Sequence, residues 1–189
     1  MKIDFDKTIR AAARLRAHLG LTDPETICRA LDLQILRLPL GTARNSIKGF
    51  IQRSARCYTI VVNSDLSALL QDIILFHEIG HYWLGHMDAS VCTFHDSGFA
   101  YSLTSALENE ANSFVAEYLL DTDETLMVLQ ESDTFQHAAS RLHVPPEILD
   151  FKWRMLVSRS LLDRSSPCPV QSDCLKQIDY AGTVGADIP

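Results

Sequence analysis

Apolar residues recur at helical spacing near the N-terminus, through "DKTIRAAARLRAHLG", and the run closes on Gly20, a residue suited to the position just past a helix end. A second helix is expected over "LTDPETICRALD", with Thr22 or Asp23 as its cap, Pro24 in its first turn and Ile27 and Leu31 on one face. From Leu33 to Asn63 the pattern changes. "LQILRLPLG", "GFIQ" and "RCYTIVVN" are short, β-branched or aromatic, and broken by Pro39, Gly41 and Gly49, as expected for the strands of a small antiparallel sheet. "SDLSALLQDIILFHEIGHYWLGH" restarts as a long helix with Ser64 or Asp65 near its cap; Leu69, Ile73, His77, His81 and Leu84 lie along one face.

"MDASVCTFHDSGFAYS" has no clear period and reads as a loop, and "LTSALENEANSFVAEYLL" as a further amphipathic helix. Three shorter helical patterns follow in "DETLMVLQ", "DTFQHAASRLH" and "PPEILDFKWRMLVSR". The fold expected is α+β, mostly helical, with a small antiparallel sheet and a C-terminal helical segment resembling a helix-turn-helix. The divisions expected are a main domain over 1–122, a helical subdomain over 123–160 and a partly disordered tail over 161–189.

Composition narrows the function classes. With 189 residues, 47% of them hydrophobic, the chain can bury a core of ordinary domain size. Its formal net charge of −7 argues against non-specific binding to nucleic acid or anionic membranes, which needs a positive field. The five cysteines (Cys28, Cys57, Cys92, Cys168, Cys174) form no C-x-x-C pair and no framework, although Cys168 and Cys174 could pair under oxidation. The N-terminus has no apolar core of a signal peptide, and no run reaches the ~18 apolar residues of a membrane span. A cytoplasmic, reducing location is expected.

The densest chemistry lies in "HEIGHYWLGH", His77 to His86. His77 and His81 are four apart, so on a helix they stack on one face and can hold one Zn²⁺. Glu78 points to the side of that pair, where a general base belongs. H-E-x-x-H on a helix is the signature of zinc hydrolysis. The plainer alternative is a pair of partly buried histidines satisfied by hydrogen bonds. Gly80, between the two histidines, lets another segment approach closely. A catalytic zinc needs a third protein ligand. On a continuing helix His86 is rotated off the His77/His81 face, and its spacing misses the H-E-x-x-H-x-x-G-x-x-H pattern by one residue. Glu108 and Glu110 flank an apolar stripe of Leu107, Ala111, Phe114, Val115 and Tyr118, and periodicity does not choose between them.

Together, "HEIGHYWLGH" and the later "ENEANSFVAEYLL" resemble the ImmA/IrrE family of metallopeptidases, whose pattern is H-E-x-G-H-x-x-L-x-H and then E-x-E-A-x-x-F-A. The likeness extends more weakly to the short sheet and to "LHVPPEILDFKWRML", covering roughly residues 10–158. It implies a zincin-like metallopeptidase domain with His77, His81 and Glu108 as zinc ligands and Glu78 as the catalytic acid/base. Glu108 is favoured because the family's ligand glutamate precedes x-x-Ala-x-x-Phe, here Ala111 and Phe114. Glu110 is the alternative ligand, or a support for an imidazole N–H, and Asn112 is a second such support. Where the family usually continues "LLMP", this chain has "LLDT", so the segment after Leu120 is expected to differ.

Tyr82, His95 and Tyr101 are candidates to stabilise an oxyanion. In the C-terminal hairpin, Lys152, Arg154 and Arg159 could meet phosphates, but an acidic first turn opened by prolines weighs against DNA, and a hairpin packed on the main domain is the simpler reading. The resemblance implies a protein substrate, a DNA-binding repressor cleaved to relieve transcription. A binding module that sequesters a repressor or antitoxin without cutting it is the second hypothesis, and a DNA-binding regulator the third.

Overall fold

The structure, a computed structural model, describes residues 4–43, 46–54, 57–88 and 98–162, with side chains throughout except over 98–105. Helix α1 spans Phe5–Leu19, and the Asp4 carboxylate caps it by accepting the Lys7 backbone N–H at 3.0 Å. Helix α2, Pro24–Ala30, is capped by Asp23, which accepts the Thr26 N–H. Three strands follow: β1 (Leu33–Leu38), β2 (Gly49–Ser54) and β3 (Cys57–Asn63).

The sheet corrects one expectation. It is mixed, in the order β1-β3-β2: β3 pairs antiparallel with β2 and parallel with β1, with Ile35 opposite Ile60 and Ile60 opposite Ile51. Hydrophobic alternation tells which face of a strand is buried but carries no information on its neighbour's direction. The segment after Leu38 takes the chain past the position beside β1 and sets β2 on the far edge. Asn63 fixes this crossing. It is fully buried, its Oδ1 accepts the Leu40 and Asp65 N–H groups, and its Nδ2 donates to the Gly41 and Ile47 carbonyls.

Helix α3 spans Ala68–Trp83 and is capped by Ser67, not by Ser64 or Asp65. Those two are engaged by the strand ends: Ser64 N–H donates to the Leu38 carbonyl, and the Asp65 carboxylate accepts from Gly41 N–H. Helix α4 (Gly98–Leu119) begins within the stretch expected to be loop; residues 89–97 of that stretch lie outside the described residues. The "LLDT" departure has a structural use. Asp121 caps α5 (Thr122–Glu131) by accepting from the Asp123 and Glu124 N–H groups at 2.9 and 3.1 Å. Helices α6 (Phe135–Arg141) and α7 (Pro146–Ser158) complete the described chain. His143, with φ 54°, turns between them.

Helix α4 is the spine, packing against α1, α3 and α7. Its Ala111, Phe114, Val115 and Tyr118 are fully buried. The Tyr118 hydroxyl donates to the Gly20 carbonyl at 2.9 Å, and Arg16 donates to the Tyr118 carbonyl, so α1 is tied to the end of α4. No helix among the described residues is long and apolar enough to cross a membrane.

Helix α7 lies on α4 across the expected boundary at 122/123, and Lys152 is part of that contact. Its side chain is 1% exposed, and its ammonium donates to Glu117 Oε2 at 2.7 Å and to Thr122 Oγ1 at 3.1 Å. Arg154 is bonded to Asp150. The hairpin therefore spends its central cation on the core, which removes Lys152 from any phosphate contact. Removing one partner of a buried pair costs more than the pair contributes, because the other charge is left desolvated. Glu117→Ala should lower unfolding free energy by about 3 kcal/mol, the low end for such pairs because the Thr122 hydroxyl remains. Denaturant unfolding measures this, and the double change Glu117→Leu with Lys152→Met should recover most of the loss.

Candidate metal centre

The site is built where α3 crosses α4. Ala111 and Phe114 of α4 come so near α3 that a Cβ on Gly80 would lie 3.0 Å from the Phe114 ring and 3.4 Å from the Ala111 carbonyl oxygen. His77 and His81 lie on either side of Gly80 along α3, and Glu108 precedes Ala111 by about one turn of α4. The close approach thus sets the two imidazoles against one carboxylate.

His77 Nε2 lies 3.2 Å from Glu108 Oε2, and His81 Nε2 lies 3.4 Å from Glu108 Oε1. The two Nε2 atoms are 3.1 Å apart. One ligand atom from each of the three residues falls within 4.8 Å of the others, a group that could hold a metal ion. Two donors each ~2.05 Å from one tetrahedral centre lie roughly 3.3 Å apart. The observed separations match that spacing.

The protons fit as well. His77 Nδ1 is 2.9 Å from Asn112 Oδ1, so the amide oxygen takes a proton from Nδ1 and leaves the Nε2 lone pair free. His86 Nε2 is 3.2 Å from Glu110 Oε2 and donates to it. His86 Nδ1 then has a lone pair, and accepts from His81 Nδ1 at 2.9 Å. His81 Nε2 is in turn left without a proton. Two imidazole nitrogens and a carboxylate converge, a donor set that suits a divalent cation of zinc's kind.

Electrostatics divide the carboxylates. Burial favours the neutral form of Glu108, but hydrogen bonds and charges from His77 and His81 outweigh it and hold its carboxyl well below the usual range. Burial also works against a charged His77, yet Glu108 turns the net direction upward. Glu78 goes the opposite way to Glu108. It is 7% exposed, and burial raises its carboxyl despite the nearby His77 and His81 and a hydrogen bond from the Ile51 backbone N–H of β2. For His86, burial and then His81 push the ring down to about 4, so it is neutral at ordinary pH.

His86 does not join the cluster. Helix α3 stops at Trp83, Gly85 takes the left-handed conformation at φ 77°, and a short 3-10 turn, His86–Asp88, folds the ring back onto His81. Glu110 also lies apart, on His86 and on Lys7 Nζ at 2.5 Å. The imidazole it meets is that of His86. The Lys7 contact has no signal in the sequence, because it joins residues 103 apart. Tyr82 stacks edge-on against Tyr58, with centroids 5.0 Å apart. His95, Cys92, Cys168 and Cys174 lie outside the described residues, as does the Tyr101 side chain. Cys28 is buried, which pushes its thiol up to about 12 and leaves it no role as a thiolate ligand.

The described fold thus carries a His-His-Glu cluster that could hold a metal ion. The profile of the IrrE N-terminal-like domain, Peptidase_M78, matches residues 28–154, more than half of the sequence, and the chain belongs to that family. A comparison with curated proteins finds no match.

Gly80→Ala tests the crossing. Alanine gains up to ~1 kcal/mol of helix propensity, but crowding a ring buried at 0% exposure costs ~1–3 kcal/mol. A net loss of about 1 kcal/mol is expected, together with weaker metal binding as α4 is pushed from the histidines. Thermal unfolding with and without chelator checks both, and a variant more stable than the parent contradicts the packing account.

Proposed function

We propose that this chain is a zinc-dependent endopeptidase that hydrolyses a peptide bond in a cognate protein, by family likeness a transcriptional repressor, in the cytoplasm. The observation that carries the reading is the convergence of His77, His81 and Glu108 beside a buried Glu78. In this reading those three residues hold the ion and Glu78 is the acid/base.

A bound zinc ion supplies Lewis acidity, lowering the pKa of water and polarising a carbonyl. Glu78 takes one proton from the attacking water as its oxygen bonds to the peptide carbon. The same carboxyl then delivers that proton to the departing amine nitrogen as the C–N bond breaks. Burial suits Glu78 to this task, because a raised carboxyl pKa lies closer to working pH and makes its carboxylate a stronger base towards the attacking water. Asn112 keeps the His77 ring in the tautomer that presents Nε2. Membership of a metallopeptidase family supports a protein substrate, and the expenditure of Lys152 on Glu117 is why a DNA-binding role is not preferred.

Glu78→Gln keeps the shape of the side chain and removes its basicity. Cleavage by the zinc-loaded variant should fall by at least about 10²-fold while zinc binding stays within about threefold of the parent. Co-purification of the variant with its trapped target supplies the substrate for the assay. Cleavage undiminished in the variant, or unaffected when chelator strips the metal from the parent, rules out the proposed chemistry.

A further inference from the structure

We infer that Lys7, Glu110 and His86 form a positioning relay that sets the metal affinity of His81, anchored on a helix outside the family-matched region. The inference rests on the reading of His77, His81 and Glu108 as the metal-holding set.

The relay is continuous. Lys7 Nζ lies 2.5 Å from Glu110 Oε2, the same oxygen lies 3.2 Å from His86 Nε2, and His86 Nδ1 lies 2.9 Å from His81 Nδ1. Its inner members are shielded from water: the side chains of His86 and Glu110 are 4% and 13% exposed. Lys7 is 41% exposed and stands at the rim. The matched family region begins at residue 28, so Lys7, on α1, lies outside it.

Each link has one proton direction. The Lys7 ammonium has only protons to give, so Glu110 accepts from it and, as a carboxylate, accepts from His86 as well. With Nε2 donating, His86 Nδ1 is an acceptor, and His81 must place its single ring proton on Nδ1. That tautomer turns the His81 Nε2 lone pair towards the Glu108 carboxylate and the Nε2 of His77. An outer hydrogen-bond partner that fixes tautomer and ring orientation strengthens a metal-ligating histidine. Here the carboxylate that usually does this directly acts one imidazole further out. Glu110 Oε2 meets Lys7 Nζ and His86 Nε2 at once. Lys7 itself touches none of the three proposed ligands; its contribution passes through Glu110.

The test is zinc affinity of the full chain, measured by competition with a chromophoric chelator. His86→Ala and Glu110→Gln should each weaken binding by about 10- to 100-fold, and Lys7→Met by about 10-fold. Lys7→Arg, which restores the ion pair, should return affinity to within about twofold of the parent. A merely structural role for Lys7 would lower thermal stability without moving affinity. The double-mutant cycle separates the two, because in a Glu110→Gln background Lys7→Met should have no further effect on zinc. Long-range ¹H–¹⁵N spectra of the loaded protein should show His81 protonated at Nδ1 and His86 at Nε2. If His81→Ala loses zinc but Lys7→Met binds like the parent, the relay is wrong and the metal site stands. If His81→Ala binds zinc as the parent does, both fall.

Discussion

The crossing of α3 and α4 at Gly80 is the contact on which the site depends. Side chains at i and i+4 of a helix share a face, so His77 and His81 look out on either side of the place where α4 comes closest. On α4, Glu108, Ala111 and Asn112 share a face by the same rule. One interface therefore aligns the carboxylate with both imidazoles and Asn112 with the far nitrogen of His77. With Phe114 fully buried against Gly80, the separation of the helices is fixed by contact between atoms and not by a flexible side chain. Coordination of a metal ion tolerates errors of only about 0.5 Å, and a packed glycine contact meets that demand.

Around this contact the hydrogen bonds run outward from the histidines. Asn112 holds His77, and His86 holds His81, each on the nitrogen that faces away from Glu108. The turn at Gly85 makes the second of these possible. A helix continuing beyond Trp83 would carry His86 off the face; the left-handed glycine ends the helix and the short turn brings the ring back. The same carboxylate that meets His86 meets α1 through Lys7, so three helices converge on the proposed site.

What the sequence discloses about this arrangement follows from how local each signal is. The helix cap at Asp23, the break at Gly20, and the His77–His81 spacing are set within a few residues and can be read directly. So can the need for a small residue at Gly80. The parallel pairing of β1 with β3 cannot, because the direction of a strand is decided by the path of the connection after Leu38 and by a buried Asn63 that looks like any polar loop residue. Periodicity gave Glu108 and Glu110 equal standing, since residues two apart straddle the same stripe. Only the placement of α4 against α3 sends one to the histidine pair and the other to His86. Lys7 reads as an ordinary solvated lysine of a first helical turn. Its partner is supplied by tertiary packing of α1 on α4, which no spacing rule encodes.

Three acidic side chains crowd this region of an already acidic chain, and they coexist because each is balanced differently. Glu108 is held ionised by two imidazoles, the state that a cation-binding oxygen requires. Glu110 is opposed by the ammonium of Lys7 and stands clear of the histidine pair. Glu78 has no lysine or arginine among the charges that shift it, and burial raises its carboxyl. Environments that push neighbouring carboxyls apart in this way separate a ligand from an acid/base. Geometry separates them too: Glu78 follows His77 directly and so points aside from the face that His77 and His81 share, whereas Glu108 faces both rings. The sequence supplies three similar carboxylates, and two helix crossings make them chemically different.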